Sequence, residues 1–208
     1  INNNDQAGTP PGTTSIEKQG SGDWRLTGKN DYSGTTTVNS GRLIVNGQHT
    51  GKGSITVRKG AILAGKGSLT GVTTINDGGI LQVGDTLAND KGLTFNGGLK
   101  LNSGAILRLN DATMETDFKA GDLIKVFTGK ATGEFADIQP ATPGEGLIWD
   151  TSELYTSGLL KVATSSSISI IRAEKENDGI VYDLGGHRYT KAGKGIAIQG
   201  GRKIQVKR

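Results

Sequence analysis

The residues that could do chemistry are few and scattered. Hydrolysis of a glycan needs two carboxylates held several ångströms apart over a sugar. The nearest approaches to such a pair are Asp85 with Asp90, and the group Asp111, Glu115 and Asp117. Both lie in polar surroundings where Asp and Asn are ordinary turn residues, so both read as solvated turns. A β-helical polysaccharide lyase would set calcium-binding carboxylates beside a basic Arg or Lys on a sheet face, yet no aspartate recurs here at a stacking interval. His49 and His187 are the only histidines and neither has neighbours of metal-ligand type, so each reads as part of a surface turn. Gly65-Lys66-Gly67-Ser68 lacks the spacing and the following helix of a phosphate loop. No catalytic residue, metal ligand or cofactor site is therefore expected. Trp24 and Tyr32 are the candidates for glycan contact, because exposed rings stack on sugars. Packing in the core or at a corner is the competing role for these two rings, and for Trp149 and Tyr155.

The elements that would position these residues are short strands. In Gly20 to Gly47, GSGDWRLTGKNDYSGTTTVNSGRLIVNG, Trp24 and Leu26 alternate with polar residues, then Thr36 and Val38, then Leu43 and Val45, with Gly, Asn and Ser at the corners. Period-two alternation broken by glycine every eight to ten positions is a strand pattern, and one such unit cannot bury its own apolar face. The phrase recurs. Taking Val38, Val57, Ile75 and Leu101 as equivalent gives intervals of 19, 18 and 26 residues. The first two match one turn of a three-faced parallel β-solenoid, at roughly 20 residues per coil. The third is longer, and Gly84 to Asp90 accounts for the excess as a corner loop that presents Asp85, Asn89 and Asp90.

Alignment on the turn glycines places Leu43/Val45, Ile62/Ala64 and Leu81/Val83 on one side of their strands, with Arg42, Ala61 and Ile80 on the other. In the next unit the same rule would bury Arg108. A shift to Leu107/Leu109 is cheaper, since burying a lone arginine costs several kcal/mol.

From Met114 to Val162 the pattern loosens. Strands are expected at Asp122–Phe127, beginning at Gly133-Glu134-Phe135, at Leu147–Asp150 and at Gly158–Val162, with larger apolar residues closing the end of the stack. After the small-residue hinge Ala163 to Ser167, four short strands follow near Ile168–Ile171, Ile180–Leu184, Gly195–Ile198 and Lys203–Val206. The expected organisation is a linker or the end of an upstream coil over 1–19, a solenoid with closing coils over 20–163, and a small β-rich sorting or anchoring module over 164–208. The fold class is all-β: a right-handed, single-stranded parallel β-helix followed by a C-terminal β-meander or sandwich-like module.

Composition agrees with thin strands and many turns. The chain has 34 Gly, 5% aromatic residues, 33% hydrophobic residues and no Cys, which excludes a disulfide framework and thiolate metal sites. Its net charge of +4 lies mostly in the last third, with no helix pattern or aromatic platform that would point to nucleic acid. No apolar run is long enough to cross a bilayer as a helix. The chain opens on Ile1 rather than Met, as a processed or excised piece of a longer protein would.

Gly22-Asp23-Trp24-Arg25-Leu26-Thr27-Gly28, Tyr32-Ser33-Gly34-Thr35-Thr36-Thr37-Val38 and Ser40-Gly41-Arg42-Leu43 together resemble the autotransporter-associated β-strand repeat. Gly146 to Val162 resembles the unit that closes such arrays. Tyr182-Asp183-Leu184-Gly185-Gly186-His187-Arg188, with Gly195 and Lys203 beyond it, resembles the C-terminal sorting tails of proteins exported by Bacteroidetes. These resemblances imply a secreted or outer-membrane-surface protein of a gram-negative bacterium. The leading expectation is a non-catalytic stalk or adhesin-like module, with polysaccharide, host glycan or host protein as its partner. Its tail would engage secretion or attachment machinery. The alternative is the C-terminal part of a β-helical polysaccharide lyase or glycoside hydrolase, or its glycan-binding accessory region.

Overall fold

The computed structural model describes residues 13–83, 92–109 and 118–165, and the strands Gly195–Gln199 and Arg202–Val206. Residues 1–165 and 166–208 form two compact units.

The first unit is a stack of three-strand coils. The first coil holds β1 (Ile16–Lys18), β2 (Asp23–Leu26) and β3 (Lys29–Asn30). The second holds β4 (Thr36–Val38), β5 (Arg42–Val45) and β6 (Gln48–His49), and the third β7 (Ile55–Val57), β8 (Ile62–Ala64) and β9 (Ser68–Leu69). The fourth runs through β10 (Thr73–Ile75) and β11 (Ile80–Val83) into the first half of β12 (Leu93–Leu101), whose second half opens the fifth. Then come β13 (Ile106–Leu109), β14 (Leu123–Lys125), β15 (Phe127–Thr132) and β16 (Asp137–Gln139). Apart from β14, each of these strands pairs in parallel with its counterpart one coil away. This makes three faces: β1-β4-β7-β10-β12, β2-β5-β8-β11-β13-β16 and β3-β6-β9-β12. β1 thus places Ile16 to Lys18, within the 1–19 segment, in the stack.

Side-chain columns run down the interior. Val38, Val57, Ile75 and Leu101 are successive partners, as the 19-, 18- and 26-residue intervals predict. The second face corrects the sequence alignment at one coil. Leu43 pairs with Leu63, not Ile62, and Leu63 with Leu81, which in turn pairs with Leu107. Arg42, Ile62, Ile80 and Ile106 form the neighbouring outward column, so Ala61 belongs to the turn, where its N–H bonds to the Arg58 carbonyl. The corner of the β4–β5 coil is one residue shorter than the corners after it, so counting from the glycine slips by one. The shift to Leu107/Leu109 holds: both are buried, and Arg108 points out to donate two bonds of 3.1 Å to Gln139 Oε1.

Glycine makes the corners. Gly41, Gly60, Gly78 and Gly104 have φ of 65°, 76°, 66° and 91°, a region a Cβ disfavours. At the corner that opens each coil the constraint is contact: a Cβ on Gly53 would lie 1.8 Å from the Gly34 carbonyl oxygen, and one on Gly71 equally close to that of Gly53. Backbone rests on backbone there.

The stack ends in a different arrangement. β17 (Leu147–Asp150), a one-turn helix α1 (Leu154–Ser157) and β18 (Leu159–Thr164) follow, and β14, β18 and β17 form an antiparallel sheet in that order. Phe127, Leu154, Leu160 and Val162 are fully buried and extend the core. The strand expected to begin at Gly133-Glu134-Phe135 begins instead at Asp137, as β16: Gly133, at φ 79°, follows the end of β15, and Phe135 packs beside Tyr155. In the second unit β19 (Gly195–Gln199) and β20 (Arg202–Val206) pair antiparallel; the two other expected tail strands lie outside the described residues.

Candidate functional site

The aromatic candidates are positioned by the columns. Tyr32 follows β3 and is 1% exposed; its hydroxyl lies 2.7 Å from Thr36 Oγ1, so it offers no ring face to a sugar. This corrects its candidacy for glycan contact, and the cause is inward placement. Trp24 is 38% exposed, yet its register partner is Leu43, the head of the inward leucine column. It stands in the first described coil, where only the coil that follows covers it among the described residues.

His49 also departs from expectation. It is 1% exposed rather than part of a surface turn, and its ring packs on Tyr32 with centroids 4.4 Å apart and planes inclined at 54°. Neither ring nitrogen has a hydrogen-bond partner. Burial pushes the imidazole below its ordinary value, opposed by the Tyr32 backbone, and burial likewise pushes the Tyr32 phenol up. The signal was in the sequence: Gly47-Gln48-His49 aligns with Gly67-Ser68-Leu69, which puts His49 level with an interior leucine.

Asn30, His49, Leu69 and Phe95 are successive partners on the third face, so one interior column changes from polar to aromatic along the stack. The polar end is built to satisfy itself in part. Asn30 Nδ2 donates to the Gly28 carbonyl at 3.0 Å. Lys18, only 5% exposed, donates from Nζ to the carbonyls of Gln19, Gly20 and Ser40 at 2.8, 2.8 and 3.0 Å. At the other end, Trp149 donates from Nε1 to the Pro140 carbonyl at 2.7 Å and meets Phe118 edge-on, while the Phe135 N–H donates to the Tyr155 hydroxyl.

Outside, the first face and the corner after it carry a groove of about 780 Å³ lined by Thr56, Arg58, Lys59, Asn76, Asp77, Asn102 and Ser103. Sequence reasoning passed over all seven, since each looks like a turn residue or the polar half of an alternating strand. The loop residues Asp85, Asn89 and Asp90, and the acidic group Asp111, Glu115 and Asp117, lie outside the described residues, as do Tyr182, Asp183, Leu184, Gly186 and Arg188 of the tail. Gly195 opens β19, and Lys203 lies in β20. Among the described residues no group of three or more His, Cys, Asp or Glu is placed to hold a metal ion.

Residues 16–45 match the passenger-associated-transport-repeat family. The matched span runs from β1 to the end of β5, one full coil and the two strands that begin the next, and it includes Trp24, Tyr32 and the corner glycine Gly41. No curated protein and no solved structure matches the chain. The chain thus carries a passenger-like repeat on a β-solenoid.

Proposed function

We propose that this chain is a non-catalytic module of a secreted or surface-exposed protein of a gram-negative bacterium, with the solenoid as a stalk or adhesive surface and residues 164–208 as a sorting or attachment segment. The observation that carries this reading is the passenger-repeat match over residues 16–45, which spans the strands β1 to β5. A solenoid suits the role physically: contacts are local, length follows repeat number, and stacked strands present flat faces to solvent. The adhesin role, polysaccharide or host partners and the Bacteroidetes-type tail belong to the same proposal. They rest on the sequence resemblances, and for a partner also on the polar groove at the coil corners.

The test uses the producing cell. Antibody against residues 13–165 is expected to label intact cells, and deletion of residues 166–208 is expected to remove the label or send the antigen elsewhere. Labelling only after lysis would contradict the surface reading, and unchanged labelling of the truncated chain would contradict the role of the tail.

A further inference from the structure

We propose that the corner groove binds an extended polysaccharide whose negative charge is carboxylate, a uronic-acid-bearing glycan. The proposal rests on the adhesive-surface reading and names the chemical class of its partner; binding in solution is tested apart from display on the cell.

Stacking builds the groove. Val57, Ile75 and Leu101 are register partners, so the residues that follow them, Arg58, Asn76 and Asn102, fall into one column, and Lys59, Asp77 and Ser103 into the next. Successive rungs are one strand spacing apart, about 4.8 Å. Asn102 Nδ2 donates to Asn76 Oδ1 at 3.0 Å, which fixes both amides. The glycines of the following coil hold the charged side chains. A Cβ on Gly78 would lie 2.8 Å from Lys59 Cγ, and a Cβ on Gly104 would collide with the Asp77 carboxylate, so each side chain lies over a corner that only glycine leaves open. No ion pair engages Arg58, Lys59 or Asp77 among the described residues.

The lining decides the ligand class. This groove crosses three coils and is lined by hydroxyls, amides, two cations and one carboxylate, with no aromatic ring. That inventory fits a chain of repeating polar units that is held by many weak contacts at once. Arg58 offers the forked guanidinium that takes a carboxylate with two parallel bonds, and Lys59 adds a point charge. Asp77 accepts from sugar hydroxyls, while the amides of Asn76 and Asn102 both donate and accept. A nucleic acid is the poorer fit. Single strands are gripped by aromatic platforms, and none lines this groove.

Affinity electrophoresis of the full chain in gels containing polygalacturonate, dextran sulfate or dextran, with an oligonucleotide in parallel, tests this directly. Retardation by polygalacturonate but not dextran is expected, with about a tenfold weakening in R58A/K59A and a weaker effect of salt on what remains. D77N is expected to bind polygalacturonate but to lose discrimination against dextran sulfate, which carries sulfate and no uronic acid. K130A/K161A removes the same charge elsewhere and is expected to bind as the parent does; thermal unfolding confirms that each variant is folded. Absence of retardation, equal loss in the two double variants, or preference for the oligonucleotide or for dextran sulfate by the parent chain would overturn the proposal.

Discussion

The third face of the solenoid differs at its two ends. In the first coils its interior column is Asn30 and His49, with Tyr32 packed against the imidazole; farther along it is Leu69 and Phe95, with Phe127 edge-on to Phe95 at 6.4 Å between centroids. Parallel pairing carries the column at both ends. The difference teaches that parallel pairing tolerates a polar interior where its atoms find carbonyls, as Asn30 and Lys18 do, and stores a cost where they do not, as at His49.

The largest expected effect breaks the apolar end. Phe95→Ala removes a ring 1% exposed that packs edge-on to Phe127 and should destabilise by about 3–5 kcal/mol, read as a lower urea midpoint with the slope unchanged. Trp24→Ala removes a ring already 38% exposed and should cost well under half of that. Next comes the backbone packing shared by both ends. Gly53→Ala drives a Cβ to within 1.8 Å of the Gly34 carbonyl oxygen and should cost about 1–3 kcal/mol by the same measurement.

The polar end answers in the opposite direction. His49→Leu makes the column continuous with Leu69 and should stabilise by about 1 kcal/mol, because two buried nitrogens without partners disappear. Acid should widen the gap. The imidazole is held below 6.5, so as pH falls from 6.5 the unfolded chain takes up a proton that the folded chain refuses. Wild-type stability is therefore lost from pH 6.5 down to the lowered folded value and is level beyond it, and His49→Leu should lack this component. Denaturation at pH 7.5 and pH 5 separates the two chains; parallel losses would mean that His49 accepts its proton in place. The smallest effect is on the surface. Arg42 bonds Asp23 through Nε at 3.0 Å and holds its carboxyl below the usual range, but the pair is solvent-accessible, and Arg42→Ala should cost under about 1 kcal/mol.

Much of this fold is legible in the sequence because the repeat reports its own register. Val38, Val57, Ile75 and Leu101 align by spacing alone, and the penalty for burying Arg108 selects Leu107 and Leu109. The slip at Ile62 arose where one corner is a residue shorter, a difference invisible until the strands pair. α1 carries no readable period at four residues, too short for a pattern that repeats every 3.6. The groove was the least legible feature. Arg58, Lys59, Asp77 and Asn102 are unremarkable in sequence, and only stacking brings them together.

The chain contains no cysteine, which makes single-cysteine labelling the most direct test of a coil stack displayed outside the cell. Cysteine at Thr37, Thr56 or Thr74 points outward on the first face, and cysteine at Val38, Val57 or Ile75 points into the core, one residue along each strand. On intact producing cells a membrane-impermeant maleimide is predicted to label the three outward positions, and the three inward ones only after denaturation. Equal labelling of both sets would contradict the stack, and labelling of the outward set only after lysis would contradict its place outside the cell.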